Sequence, residues 1–262
     1  MVGYGAASRS AASLVPPALT INAEGRSPFV LVCDHASNRI PQRYGDLGLT
    51  PLQRLLHVAW DPGALAVALQ LSDALAAPLV QSTVSRLVVD CNRAPDAPDL
   101  VVVRSETVDI PGNRPVGPEE RAHRIAAFHI PYHQAIEALL SHRHGAGRET
   151  LFVAVHSFTP VYHGVHRPWP IGLIPGRDPT LARLLGDALR AEVPGLALGW
   201  NQPYAADSGV TYTLDHHANR YGLPAVMIEL RHDEILLPGG VALWADRLAR
   251  CLEAARLARA SS

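Results

Sequence analysis

The chain has 262 residues, 48% of them hydrophobic, and its 23 basic residues, all Arg, nearly balance 24 acidic ones for a formal net charge of -1. This composition argues against a disordered chain and against a polyanionic partner such as nucleic acid. No apolar run approaches the roughly 20 residues of a membrane span, and Cys33, Cys91 and Cys251 are too few for a disulfide framework, so a reducing, cytoplasmic setting is expected.

The opening residues, MVGYGAASRSAASLVPP, are rich in Ala, Ser and Gly and lack the apolar stretch of a signal peptide. Residues 1–24 therefore read as a loose tail, and 25–262 as one domain without internal repeat or linker. Residues 29–33, FVLVC, predict a buried strand that runs straight into Asp34, His35, Ser37, Asn38 and Arg39 before Pro41. Thr50-Pro51 opens a short helix to Leu56, with Thr as N-cap and Pro in the first turn. Asp61-Pro62 repeats that signature before a helix over 64–76 whose apolar face carries Leu65, Leu69, Leu71 and Leu75. Asp61 is thus either a helix cap or a site residue.

Residues 78–84 predict a second strand and 87–89 a third, which ends in Asp90, Asn92 and Arg93. The stretch 96–118 is a long loop, of the kind that usually serves function. A helix over 118–142, with a break expected at Pro131, carries His123, His129 and His133. His129 and His133 share a face at i, i+4, but no carboxylate lies between them, which favours hydrogen-bonded histidines over a metal pair. Residues 151–155 form a buried strand that ends in His156 and Ser157. A loop with His163, His166, Arg167 and Trp169 leads to a strand over 171–174, and Asp178-Pro179 caps a helix to Glu192. Residues 196–199 lead to a polar strand end, Asn201 to Tyr204, and 213–221 is a short helix. The last core strand, 224–228, releases Glu229, Arg231, His232 and Asp233 before a helix over 241–258 with Leu243, Leu248 and Leu252 inward.

Strands alternating with helices predict an α/β fold whose strand ends converge at one edge of the sheet. The converging set is Asp34, His35, Asn38, Asp61, Asn92, Arg93, His156 and Glu229. Two histidines and a carboxylate with one open position make a catalytic zinc arrangement, and a separate glutamate can take a proton from water beside it. An arginine beside an asparagine can hold a substrate carboxylate through the guanidinium fork. Ser37, Ser85 and Ser157 lack the G-x-S-x-G elbow, which disfavours a serine hydrolase.

Seven segments, CDHASNRIP (33–41), HVAWDPGA (57–64), SRLVVDCNRAP (85–95), SETVDIPGNRPV (105–116), PYH (131–133), AVHSF (154–158) and GLPAVMIELRHD (222–233), together resemble the N-formylglutamate amidohydrolases. The resemblance extends more distantly to zinc carboxypeptidases and aspartoacylases. It implies a three-layer α/β/α fold around a mixed sheet, phosphorylase/hydrolase-like as in zinc carboxypeptidases. It also implies an enzyme that hydrolyses the amide bond of an N-acyl amino acid, such as N-formylglutamate, at a zinc or other divalent metal site. Carried across, His35 and His156 are metal ligands, and the third ligand is Asp61 or Asn38, the latter standing where carboxypeptidases place a carboxylate. Glu229 resembles the water-activating glutamate, Asn92 and Arg93 the pair that grips a carboxylate, and Arg93 or Arg86 would steady the oxyanion. Asn113, Arg114 and His133, inside the matching segments, are further substrate-binding candidates. The partner implied is a small N-acyl amino acid, and the oligomeric state is open between monomer and homo-oligomer. A deacylase or peptidase acting on another N-acyl compound, and a non-catalytic binding protein on the same scaffold, are the alternatives.

Overall fold

The computed structural model describes residues 15–204 and 209–261. In chain order, the N-terminal half holds β1 (Ala18–Ile21), β2 (Phe29–Cys33), α1 (Ala64–Ala74), β3 (Leu79–Ser82), the hairpin β4 (Arg104–Ser105) and β5 (Val108–Asp109), α2 (Pro118–Arg124) and α3 (Ile130–Gly145). The second half holds β6 (Leu151–Phe158), the hairpin β7 (Val161–Tyr162) and β8 (Val165–His166), β9 (Ile171–Pro175), α4 (Thr180–Glu192) and β10 (Leu198–Trp200). It closes with the short α5 (Asn219–Tyr221), β11 (Ala225–Arg231) and α6 (Pro238–Ala260).

A seven-stranded mixed sheet in the order β1-β3-β2-β6-β11-β9-β10 forms the middle layer. The strands β3, β2, β6 and β11 are mutually parallel. Because both faces are covered, these strands are apolar throughout rather than alternating. Phe29, Leu31 and Cys33 of β2 face a core built with α1, α4 and α6, while Val30 and Val32 face Tyr132, Ile136 and Leu140 of α3. This is the expected three-layer α/β/α architecture. No described helix is long and apolar enough to cross a membrane.

Several elements depart from expectation for local physical reasons. The stretch counted as a tail supplies β1, which pairs antiparallel with β3; residues 1–14 lie outside the described ones. Residues 87–89 form no strand, because the Val88 amide donates to the Ser85 carbonyl (2.9 Å) and their side chains fill a separate cluster with Leu47, Val58 and Ile110 or with Leu100. The helix expected from Thr50 is only a 3-10 turn, Gln53–Leu55, although Thr50 and Gln53 do cap each other reciprocally. The break at Pro131 is met by a π-helical turn, Ile125–His129, after which Pro131 falls in the first turn of α3, where its missing N–H costs nothing. In α1 the buried face is Ala64, Val67, Ala68 and Leu71, with Leu69 turned outward, and in α6 Leu243 is exposed while Leu248 and Leu252 are buried.

The strands β9 and β10 run opposite to the parallel core. The edge that carries the C-terminal ends of β2, β6 and β11 therefore carries the N-terminal end of β9. After β10 the chain doubles back, so tightly that a Cβ on Gly172 would come within 1.8 Å of the Gln202 carbonyl oxygen.

Asp61 does not cap α1. The residue before that helix is Gly63, at φ 81° and ψ -22°, which turns the chain sharply and leaves the Asp61 carboxylate free to point at the sheet edge. A Cβ on Gly63 would also meet the Ile235 carbonyl oxygen at 2.5 Å. Gly63→Ala is expected to destabilise the protein by about 2 kcal/mol or more through strain and clash. Equilibrium urea unfolding of the variant checks this, and an unchanged midpoint would refute it.

Candidate active site

The parallel neighbours β2 and β6 bring His35 and His156 side by side, with ring centroids 5.0 Å apart. Asp61 sits between them: its Oδ2 is 2.9 Å from His156 Nδ1 and 3.3 Å from His35 Nδ1. One ligand atom from each of the three lies within 4.8 Å of the others. The opposite ring nitrogens are also engaged. His35 Nε2 meets Asp90 Oδ1 at 2.7 Å, and His156 Nε2 meets Asp34 Oδ2 at 2.8 Å. A carboxylate behind each imidazole fixes ring orientation and tautomer, the support that metal-binding histidines receive. Asp34 is held in turn by the Tyr132 and Thr213 hydroxyls at 2.8 and 2.6 Å, and Asp90 by Arg86 Nη2 and the Asn92 amide, both at 2.8 Å.

Water is almost excluded from this network, with His35, Asp61 and His156 all at most 3% exposed. Burial opposes every charge, but the partners outweigh it. His156 holds Asp34 down at about 2, and His35 together with His156 holds Asp61 well below the usual carboxylate range. Asp90 is likewise depressed by Arg86 and His35. Conversely, burial would lower the two imidazoles, yet their carboxylate partners raise both. Glu229 lies in register with His156 on the neighbouring strand β11. It lacks such a partner, and burial pushes its carboxyl up to about 7.

Two buried carboxylate oxygens, Asp61 Oδ1 and Glu229 Oε2, accept no hydrogen bond; the nearest cation to the former is Arg86 Nη1 at 3.5 Å. Buried polar atoms of this kind are normally satisfied. Two imidazole nitrogens and a carboxylate oxygen converging on one point, beside unsatisfied oxygens, fit a divalent cation with an open coordination position.

The site opens into a cavity of about 250 Å³ whose walls include His35, Asp61, Arg86, Arg93, His156 and Glu229. The expected set is thus largely brought together. Asn92 also lines the cavity, but its side chain is spent on structure: Nδ2 donates to the Val210 carbonyl (2.5 Å) and Oδ1 accepts from the Thr213 amide (3.0 Å).

Four expected residues lie elsewhere. Asn38, the alternative ligand, donates its amide to the Arg54 carbonyl at 3.0 Å. Asn113 is fully buried and ties the Leu87 and Val102 carbonyls (2.9 and 2.8 Å) to Arg124. Arg114 is exposed and pairs with Asp109 at 2.7 Å. His133 is buried between the Cys91 carbonyl (2.9 Å) and His217 (2.8 Å). Each finds its partner close at hand, away from the cavity.

The sequence placed Asp34 in the converging set and Asp90 at a strand end without giving either a role, and it gave none to His57 or Tyr204. Asp90 lies next to the Asn92-Arg93 pair and Asp34 next to His35, a proximity that could have marked them as supports. His57 lines the cavity with Nδ1 3.8 Å from Asp61 Oδ1, and burial pushes it down to about 3, so it is neutral. Tyr204 reaches the cavity only because the chain reverses after β10, for which the sequence holds no signal.

The family model of N-formylglutamate amidohydrolase matches residues 27–236. Among solved structures, the gene product Atu2144 from Agrobacterium tumefaciens is similar at 42% identity and a TM-score of 0.91, over 95% of this chain and 97% of that one. N-formylglutamate amidohydrolase from Ralstonia eutropha JMP134 shares the fold at 19% identity and a TM-score of 0.71, over 95% of this chain and 100% of that one. A comparison with curated proteins finds no match.

Asp34→Asn removes the charge behind His156 and should cost about 3 kcal/mol, as breaking a buried ion pair does. Asp34 is depressed to about 2 when folded, so its contribution is complete above the unfolded carboxyl pKa of about 3.9 and lost as pH falls through about 2. Urea unfolding of both proteins between pH 2 and 7 checks this. The difference between them should shrink on acidification, and a pH-independent difference would refute the charge argument.

Proposed function

The chain belongs to the N-formylglutamate amidohydrolase family, and from that premise we propose that it is a metal-dependent hydrolase of N-acyl amino acids, N-formylglutamate first among them. The products are formate and the free amino acid, one water being consumed. The observation that carries this reading is the convergence of His35 Nδ1, His156 Nδ1 and Asp61 on one point, each imidazole backed by a carboxylate. His35, His156 and Asp61 would hold the metal, and zinc suits this donor set. When bound, such an ion supplies Lewis acidity and brings the pKa of a water near 7.

The remaining chemistry falls to the chain. Glu229, at about 7, is matched both to taking a proton from the attacking water and to returning it to the departing amine nitrogen. Arg86, fixed against Asp90 and Asp61 at the cavity wall, is placed to steady negative charge on the carbonyl oxygen during attack. Arg93 pairs with the half-exposed Asp99, a partner that a substrate carboxylate can replace at little cost, since exposed ion pairs contribute little. Asn92 serves by holding the 210–213 segment that closes the wall behind Arg93.

The test is formate release from N-formyl-L-glutamate, measured together with metal content before and after chelation. Release that disappears with the metal and returns with zinc is expected. Release that survives full metal removal would overturn the metal-dependent reading. A fully loaded protein inactive on a panel of N-acyl amino acids would favour the binding-protein alternative. Glu229→Gln should retain metal and lose about 100-fold or more in kcat, the usual contribution of a general acid–base; an unchanged kcat would remove Glu229 from the mechanism.

A further inference from the structure

Four arginines line or border the cavity, and three of them have a carboxylate partner. Arg86 pairs with Asp90 and Asp61, Arg93 with Asp99, and Arg104 with Asp109 at 3.8 Å. Arg167, which precedes β9, pairs with no carboxylate among the described residues, although it is only 7% exposed. Its guanidinium carbon lies 4.6 Å from the Tyr162 ring centroid, 5.0 Å from that of Tyr204 and 5.6 Å from that of Phe158. Among the described residues the guanidinium makes a long hydrogen bond, a 3.5 Å approach of Nη1 to the Thr159 carbonyl.

Aromatic faces attract a guanidinium by roughly 0.5–2 kcal/mol each. They do not replace a counter-ion, and burying an uncompensated charge costs several kcal/mol. Among the described residues the planar fork of Arg167 is therefore short of an anion, and its geometry matches a carboxylate. Two of the three rings around it, Tyr162 and Tyr204, are walls of the catalytic cavity. The strand order also separates Arg167 from Arg93: β9 and β3 flank the β2, β6 and β11 strands that carry or lead to His35, His156 and Glu229. The site thus has a cation on each side of its reacting centre.

We infer that Arg167 forms a subsite for the side-chain carboxylate of an N-acyl dicarboxylic amino acid, entered between the Tyr162 and Tyr204 rings that pack on its guanidinium and line the cavity, while Arg93 takes the α-carboxylate. This rests on the hydrolase reading above and adds what selects the substrate. A different assignment of the same residue is purely structural: Arg167 would pin the β7–β8 hairpin onto Tyr204, and its loss would then harm all substrates alike.

The deciding experiment compares N-formyl-L-glutamate with its neutral isostere N-formyl-L-glutamine, using the full-length, metal-loaded wild type, Arg167→Met and Arg167→Lys. The wild type should prefer the dicarboxylate. Arg167→Met should raise KM for N-formylglutamate at least about tenfold, the scale of a lost charge-assisted hydrogen bond, and leave N-formylglutamine nearly unaffected. Arg167→Lys, which keeps the charge, should recover part of the preference. Equal losses on both substrates, or a preference that ignores residue 167, would overturn the subsite.

Calorimetric binding of glutarate against butyrate gives a readout free of turnover. The second carboxylate should strengthen binding to the wild type and not to Arg167→Met. If that advantage is present but neither formyl compound is hydrolysed, the hydrolase reading fails and the subsite stands. If hydrolysis is present but Arg167→Met leaves both the preference and the glutarate advantage intact, the subsite fails and the hydrolase reading stands.

Discussion

Asp61 accepts from two imidazoles at once, and most of what surrounds the site follows from keeping that arrangement dry. A buried carboxylate between two histidines is tenable only if the histidines carry positive charge or share a cation, and charged imidazoles in turn need anions behind them. Asp34 and Asp90 fill that need, and Arg86 closes the far end of the series by neutralising Asp90. Charges of alternating sign thus run from Asp34 through His156, Asp61, His35 and Asp90 to Arg86. Every member except Arg86, whose guanidinium stays charged, depends on its neighbours for its protonation state. The same series would present two neutral imidazole nitrogens and a carboxylate to a divalent cation, which would then supply the positive charge that protons supply without it.

The network is also a structural clamp. Its members come from the end of β2, the turn before α1, the segment after β3, and β6, and Thr213 reaches in from the region before β11. Helix α3 and the π-helical turn before it support it from behind: Tyr132 donates to Asp34, while His129, at the end of that turn, and His133 bond the Arg93 and Cys91 carbonyls at 2.9 Å. The i, i+4 histidines therefore steady the loop that carries Asp90 and Arg93. They sit one layer away from the chemistry, yet they help to decide where Arg93 points.

The parallel core explains why so many groups meet at one edge. In β3, β2, β6 and β11 the chain runs the same way, so the residues following each strand emerge together. The reversed strands β9 and β10 break this rule and contribute differently. Arg167 enters from the start of β9, and Tyr204 arrives by a return turn that requires Gly172 to have no side chain. The candidate metal site is therefore built around the regular part of the sheet, and the outer wall beside it by the irregular part.

The sequence by itself determined the main strands and their alternation with helices, the family resemblance added the three-layer class, and the strand ends marked the candidate site residues. Uninterrupted apolar runs report burial on both faces, and His35, His156 and Glu229 are covalently next to those runs, so their placement follows from the strands. It was also enough to mark Asp61, though not to choose between a helix cap and a site carboxylate; Gly63 at positive φ made that choice. Only the tertiary structure decided the partners of polar side chains lying away from strand ends. Asn38, Asn113, Arg114 and His133 look chemically equipped, but a hydrogen bond is short and directional, and each is claimed by a group that distance along the chain does not reveal. The turn at 87–89, the reversal of β9 and the aromatic surroundings of Arg167 belong to the same class. Each depends on which groups lie within a few ångströms in space, and hydrophobic pattern carries no record of that.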